Sequence, residues 1–306
     1  MKKLALALLL LLLSCDPPTL PTPPTIPDPQ PPAPPQRVDA PFSWAAYRGY
    51  SAFALTGYDE GHVERIIREG LARGFNTPRV CAETEYWDDS GFLKRVPRDI
   101  QAVRRLLDTA ARIEGAQVLL VADCTLKGPV PIPEQKEWIR EVARLVQRER
   151  YQNVAVQVWN ESWNCRGRGW GEHCPSRGDV IDMIRTVRQH GIQYVGDDDH
   201  ICIGEADVPH RVTGEATFYA FHPCREVNGR PWDPDVSFLR RMIAANPGAP
   251  VVLDETVAYS ETECRGLRTC DKERIYRAQA AAQEAGVPWT FHSDYGLEAR
   301  EYPWWP

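Results

Sequence analysis

The chain has 306 residues, a formal net charge of −6 and 43% hydrophobic residues, which is material for one large core. A mildly acidic balance of this kind excludes a general nucleic-acid binder, whose phosphate partner would demand a cationic face. No internal repeat of roughly 20–50 residues is visible, so repeat architectures are excluded as well.

The N-terminus reads as an address. Lys2 and Lys3 precede an apolar run from Leu4 to Leu13, half of the about 20 residues that a bilayer span needs. Leu12-Leu13-Ser14-Cys15 then resembles a bacterial lipobox. That resemblance implies a signal peptide over residues 1–14, lipidation of Cys15, and an exported domain anchored to a bacterial membrane at the periplasmic or outer face. Residues 15–40 form the anchor and a proline-rich linker, and with Pro41 they hold about half of the 27 prolines. Such a segment lacks amide donors and favours polyproline II, so it serves as a semi-rigid spacer.

From residue 41 to 306, strand-like and helix-like patterns alternate, the signature of a parallel sheet covered by helices. Strands are predicted over 47–55, 77–82, 117–122, 154–160, 200–204, 217–222, 251–255 and 287–292. Between them lie apolar helical faces: Val63, Ile66, Ile67 and Leu71; Ile100, Val103, Leu107 and Ala110; Trp138, Val142, Leu145 and Val146. Val180, Ile184 and Val187 make the next, then Val236, Leu239 and Ile243, then Ile275, Ala278 and Ala282. Gly74, Gly115, Gly191, Gly248 and Gly286 stand just beyond these faces, where a left-handed C-terminal cap is needed. Eight strands with intervening helices predict a (β/α)8 barrel, with a fifth crossover barely long enough and a short or missing last helix.

In such barrels the chemistry sits where strands end. Strand four closes on Trp159-Asn160-Glu161 and strand seven on Leu253-Asp254-Glu255, so two glutamates face one mouth. Paired carboxyl groups suit glycoside hydrolysis, in which one protonates the leaving oxygen and the other attacks. These two segments resemble the clan A glycoside hydrolases, most closely family 5, which includes cellulases and mannanases. The resemblance implies a retaining enzyme acting on a β-linked carbohydrate, with Glu161 as acid/base and Glu255 as nucleophile. It also implies substrate contact by Asn160 and, from the Gly74-Phe75-Asn76-Thr77-Pro78-Arg79 segment, an arginine beside the nucleophile that favours its ionised form. Phe218-Tyr219-Ala220-Phe221-His222 resembles strand six, with His222 at the site and Cys224 where the family has tyrosine. Ser162 stands where the family usually has proline, and on strand eight Trp289, Phe291 and His292 are the candidates for the sugar-stacking place. A non-catalytic carbohydrate-binding barrel is the alternative reading of the same groove.

Other charged residues have plainer readings. Glu83 and Glu85 follow strand two as subsite residues or solvated charge, and Glu205 and Asp207 are placed to pair with Arg211. Asp197-Asp198-Asp199 reads as a solvated turn before strand five. No metal, cofactor or nucleic-acid partner is expected, and a monomer is.

Nine cysteines less Cys15 leave eight, an even number that agrees with an oxidising compartment. The barrel order predicts four bridges: Cys81–Cys124, Cys165–Cys174, Cys202–Cys224 and Cys264–Cys270. The anchor is open to a simple check: Cys15→Ser should release the protein from the membrane fraction or block its maturation, and undiminished membrane fractionation would refute the lipobox.

Overall fold

The structure, a computed structural model, describes residues 40–87, 93–124, 130–161, 174–224, 226–227, 230–255 and 272–292. The address segment, Cys15, the proline-rich linker through residue 39, Ser162, Cys165, Cys264 and Cys270 lie outside the described residues, as does the Glu85 side chain. Among the described residues no helix is long and apolar enough to cross a membrane.

Eight parallel strands form a nearly closed barrel: β1 (Gly49–Ser51), β2 (Thr77–Cys81), β3 (Val118–Val121), β4 (Val154–Gln157), β5 (Val195–Ile201), β6 (Phe218–Pro223), β7 (Val251–Leu253) and β8 (Thr290–Phe291). Their order is β7-β6-β5-β4-β3-β2-β1-β8, and a single parallel bridge, Leu253 to Trp289, joins the two ends. Among the described residues six helices pack outside: α1 (Glu60–Ala72), α2 (Ile100–Ala111), α3 (Ile132–Glu149), α4 (Arg177–Gln189), α5 (Val236–Ala245) and α6 (Lys272–Ala285). This is the (β/α)8 barrel that the strand–helix alternation predicts.

The helices start and stop where side chains satisfy their ends. Asp59, Asp99 and Asp235 accept N-terminal amides of α1, α2 and α5, and Ser176 with Asp179 forms a reciprocal capping box on α4. All five glycines singled out beyond the helical faces have positive φ, between 73° and 86°.

The fifth crossover is irregular, as its shortness predicts: between β5 and β6 it has no helix and runs as turns from Cys202 to Thr217. The elements depart from the sequence expectations elsewhere. Strand five begins at Val195 rather than 200, so the three aspartates lie inside it; Asp197 and Asp198 are fully buried. On α5, Phe238, Leu239 and Met242 are buried while Ile243 is exposed, a shift of the expected apolar face by about one position.

The barrel interior has a dry floor and a charged mouth. Phe42, Trp44 and Tyr47, from the segment before β1, pack with Leu119, Ala155, Phe218, Ala220 and Val252. Trp44 lies 4.8 Å from Phe218 and 4.9 Å from Phe42 between ring centroids. Period-two alternation carries Phe218 and Ala220 to the floor and His222, next on the same face, to the mouth. Apolar contacts between the outer strand faces and the helices form the larger core.

His210 anchors the helix-free crossover. It is buried, its ring stacks on Tyr219, Nδ1 accepts the Val212 amide at 3.2 Å, and Nε2–H donates to the Ala220 carbonyl at 3.1 Å. That pattern requires the neutral ring, because a second proton on Nδ1 would face an amide N–H. Burial, reinforced by the Arg211 charge, pushes its pKa down to about 3. In the unfolded chain an ordinary histidine near 6.5 takes up the proton first, so stability present above about 6.5 is lost as pH falls toward 3. The slope is on the order of 1.4 kcal/mol per pH unit for one proton. His210→Gln should be less stable than wild type at pH 7 but lose less on acidification, as measured by urea midpoints across that interval.

Candidate active site

Each site residue is delivered by a barrel strand or by the residues just beyond it. Arg79 comes from β2, fully buried, and its guanidinium is the hub. Nη1 donates to Glu255 Oε1 at 2.7 Å; Nη2 donates to Asn160 Oδ1 at 2.6 Å and lies 3.1 Å from Asp254 Oδ2. A planar fork with several fixed donors can serve three acceptors from two strands; a lysine could not hold them in one plane. Burial alone would lower the Arg79 pKa, but Asp254, Glu255 and Asp198 raise it above its ordinary value.

Glu161 follows β4 and adopts a left-handed backbone, φ 54°, one of two such non-glycine residues among those described. Its amide N–H is taken by both carboxylate oxygens of Asp198, at 2.7 and 3.0 Å. Asp198 Oδ2 also accepts Gln157 Nε2–H at 3.2 Å and lies 3.0 Å from His222 Nε2.

His222 joins the two halves of the mouth. Nε2 faces Asp198 at 3.0 Å and Asp254 at 3.1 Å; Nδ1 is 3.6 Å from a carboxylate oxygen of Glu161 and 3.6 Å from one of Glu255. Burial works against its charge, yet Asp254, Glu255 and Asp198 outweigh it, so its pKa lies well above the usual histidine value. Burial also raises Asp198, against the lowering influence of His222. A proton is therefore retained within this group, on the imidazole that sits between carboxylates.

Two three-membered sets, Glu161–His222–Glu255 and Asp198–His222–Asp254, each bring ligand-type atoms within 4.8 Å of one another. The important consequence is geometric: oxygens of Glu161 and Glu255 approach within 4.8 Å across the barrel mouth.

His292, just after β8, places Nε2 at 3.8 Å from Glu255 Oε2 and is held from behind by Ser51 Oγ at 3.0 Å from Nδ1. The structure thus gathers Arg79, Asn160, Glu161, His222, Glu255 and His292. Trp289 is not with them. It leads into β8 at the opposite end, is 6% exposed, and packs in the core beside Phe75 at 6.4 Å. Trp289 therefore does not stand at the mouth, because it packs in the larger core between the outer strand faces and the helices.

Sequence reasoning missed Asp198, Asp254 and Ser51 as members of this cluster. Asp198 was legible in principle, because Val195, Asp197 and Asp199 alternate with Gly196 and Asp198 at strand period. The expected pairing of Arg211 also differs: it meets Asp197 at 3.1 Å, while Glu205 accepts the Cys202 amide at 2.6 Å and Asp207 pairs with Arg241 at 3.2 Å. Glu83 is buried against Arg98, which also reaches Asp123 at 3.2 Å; it is an ion pair and not solvated charge. Cys81 is bonded to Cys124 and Cys202 to Cys224, with Cα separations of 5.8 and 4.9 Å, and Cys174 is also disulfide-bonded. The Cys202–Cys224 bridge lies two residues beyond His222, against His200.

No protein-family profile and no curated relative matches the sequence. Solved structures do match in fold. One described as a glycoside hydrolase superposes with a TM-score of 0.59 at 13% identity over 85% of this chain and 63% of that one, so the chain spans under two thirds of its length. A family 5 glycoside hydrolase from Bacteroides vulgatus gives 0.56 at 13% identity, covering 85% and 61% of the two chains. The endo-1,4-beta-mannanase from Rhizomucor miehei gives 0.53 at 10% identity, covering 80% and 85%. The chain has the fold of these glycoside hydrolases.

The hub makes a stability prediction. Removing the Arg79 cation leaves Asp254 and Glu255 facing each other in a buried mouth, so Arg79→Met should cost about 3–5 kcal/mol, read from urea or thermal unfolding. A loss below about 1 kcal/mol would mean that the carboxylates do not depend on this guanidinium.

Proposed function

We propose that this protein is a retaining glycoside hydrolase that cleaves β-glycosidic bonds in a polysaccharide or oligosaccharide, with Glu161 as acid/base and Glu255 as nucleophile. The observation that carries this reading is the approach of one oxygen of Glu161 and one of Glu255 to within 4.8 Å of each other at the mouth of a (β/α)8 barrel. Retaining enzymes hold the pair about 5–5.5 Å apart, whereas an inverting pair needs about 6.5–9.5 Å to admit water. The fold shared with glycoside hydrolases, at low identity, adds support of a coarser kind.

The residues divide the work as follows. Glu161 gives its carboxyl proton to the glycosidic oxygen as the C1–O bond breaks, and Glu255 forms an ester to C1 from the other face. Glu161, now a carboxylate, takes a proton from water; the water oxygen attacks C1, the ester bond breaks, and Glu255 is restored. Two inversions return the original anomeric configuration. Arg79 holds one oxygen of Glu255 in an ion pair, and the other, Oε2, is the one to attack. The same guanidinium occupies the Asn160 carbonyl, so the Asn160 amide N–H groups are what remains to donate to a sugar hydroxyl.

Export through the N-terminal address and tethering by lipid at Cys15 belong to the same proposal, since an anchored hydrolase acts on glycans that reach the cell surface or periplasm. No cofactor is called for by the two-carboxylate reaction.

Glu161→Gln and Glu255→Gln should each lower turnover by about 10²–10⁴ or more without loss of fold. Reducing-sugar release from a panel of β-linked glycans, β-1,4-mannan included, tests activity, and the anomer first formed, seen by NMR, tests retention. Binding without hydrolysis across that panel would sink the enzyme reading in favour of a carbohydrate-binding barrel.

A further inference from the structure

Glu161 occupies a backbone conformation that a residue with a Cβ disfavours, and one side chain from another strand holds its amide there. We propose that Asp198 is a positioning residue for Glu161, its carboxylate fixing the left-handed turn that aims the acid/base across the barrel mouth. The proposal rests on Glu161 being the acid/base.

Three observations converge on it. Asp198 accepts the Glu161 N–H with both oxygens, at 2.7 and 3.0 Å, a charge-assisted clasp and not a chance contact. It is itself immobilised: its side chain is fully buried, Gln157 Nε2–H donates to Oδ2 at 3.2 Å, and Gln157 is locked in turn to the Trp159 carbonyl at 2.9 Å. Asp198 also faces His222 Nε2 at 3.0 Å, while the other ring nitrogen of His222 lies 3.6 Å from a Glu161 oxygen. Asp198 therefore acts on Glu161 twice, through the backbone amide directly and through the imidazole at the side-chain end. The strand register explains why it can reach: Asp198 pairs with Ala220, two residues before His222, so Asp198 and His222 are diagonal neighbours on β5 and β6. Gly196, on the same face, leaves the strands room, since a Cβ there would lie 2.5 Å from the Phe218 carbonyl oxygen.

A positioning role differs from a merely structural one in which step it slows. Proton donation matters when the leaving group is a sugar alkoxide; it matters little when the leaving group is 2,4-dinitrophenolate, which departs unprotonated. Misplacing Glu161 should therefore lower kcat/KM only on the first kind of substrate, and on the second should show in kcat, through the base-assisted second step. We expect Asp198→Ala to lower kcat/KM on an unactivated β-glycoside by about 10²-fold, with KM nearly unchanged, while lowering kcat/KM on the matching 2,4-dinitrophenyl glycoside by less than about fivefold. Asp198→Asn keeps one acceptor oxygen for the Glu161 amide and nearly the same volume; it should show the same selectivity with a smaller loss, about tenfold on the unactivated substrate. Circular dichroism and thermal unfolding establish that each variant is folded; should the alanine variant not fold, the asparagine variant carries the test. With the activated substrate, added azide should rescue turnover of both variants and give a glycosyl azide, because the step then limiting is base-assisted attack by water. Equal losses on both substrates, or no loss on either, would overturn the positioning role. Glu161→Gln run alongside keeps the two readings apart: if it too lacks the leaving-group dependence, the acid/base assignment is what has failed.

Discussion

Four carboxylates gathered at one end of a barrel repel one another unless cations are placed among them, and this constraint orders everything around the mouth. Among the described residues, Asp198, Asp254, Glu161 and Glu255 are interleaved with the Arg79 guanidinium and the His222 ring. Among groups this buried the attraction between opposite charges is several times stronger than in water, and so is the repulsion between like ones. Arg79 answers by serving Glu255, Asp254 and Asn160 at once, and His222 by lying between Asp198 and Asp254 with its other nitrogen toward both glutamates. The histidine contacts of Glu255 Oε2 and of the Glu161 carboxyl group are the longer ones, near 3.6–3.8 Å. Those are the atoms that the proposed reaction uses.

The fold supports this arrangement by separating duties along the barrel axis. Aromatic residues ahead of β1 seal the floor, so the mouth can be polar without letting water through the core. A second ion group, Glu83, Asp123 and Arg98, ties the ends of β2 and β3 together, with Arg98 lying 5.9 Å from the Trp138 ring centroid and the Cys81–Cys124 bridge joining the same two strand ends. The Cys202–Cys224 bridge does the same for β5 and β6, on either side of the helix-free crossover. Bridges of this kind are each typically worth about 2–4 kcal/mol, and here they brace the strand ends that bear Asp198, His222 and Arg79.

Most of this was legible in the sequence because a barrel strand writes its ends clearly. Val154 through Trp159 is apolar or neutral until Asn160 and Glu161, and Val251 through Leu253 until Asp254 and Glu255, so the polar residues mark the mouth by position. The same signal failed at β5, where charge comes before the strand is over. Asp197, Asp198 and Asp199 look like solvent-facing residues to any reading based on hydropathy, and only a partner on another segment makes the burial of the first two tolerable: Arg211 for Asp197, the Glu161 amide and His222 for Asp198. Trp289 misled in the other direction. A tryptophan on the eighth predicted strand invites a role in sugar stacking, but it leads into β8 and belongs to the core and not the mouth. Ser51 carried no local signal at all; its importance comes from β1 and β8 being neighbours, a fact of closure and not of spacing.

That closure is uneven. Seven of the strand junctions are ladders of two or more residue pairs, from the six-pair ladder of β5 and β6 down to two pairs at β4–β5 and β1–β8; the eighth is the lone bridge between Leu253 and Trp289. The stave that carries Glu255 thus hangs on one side from β6 by three pairs and on the other by almost nothing. Cooperative opening starts where the fewest backbone hydrogen bonds must break. In this barrel the seam runs beside the very strand whose carboxylate must keep station opposite Glu161, so the last few ångströms of alignment are left to Arg79, which grips Glu255 from the far side of the mouth.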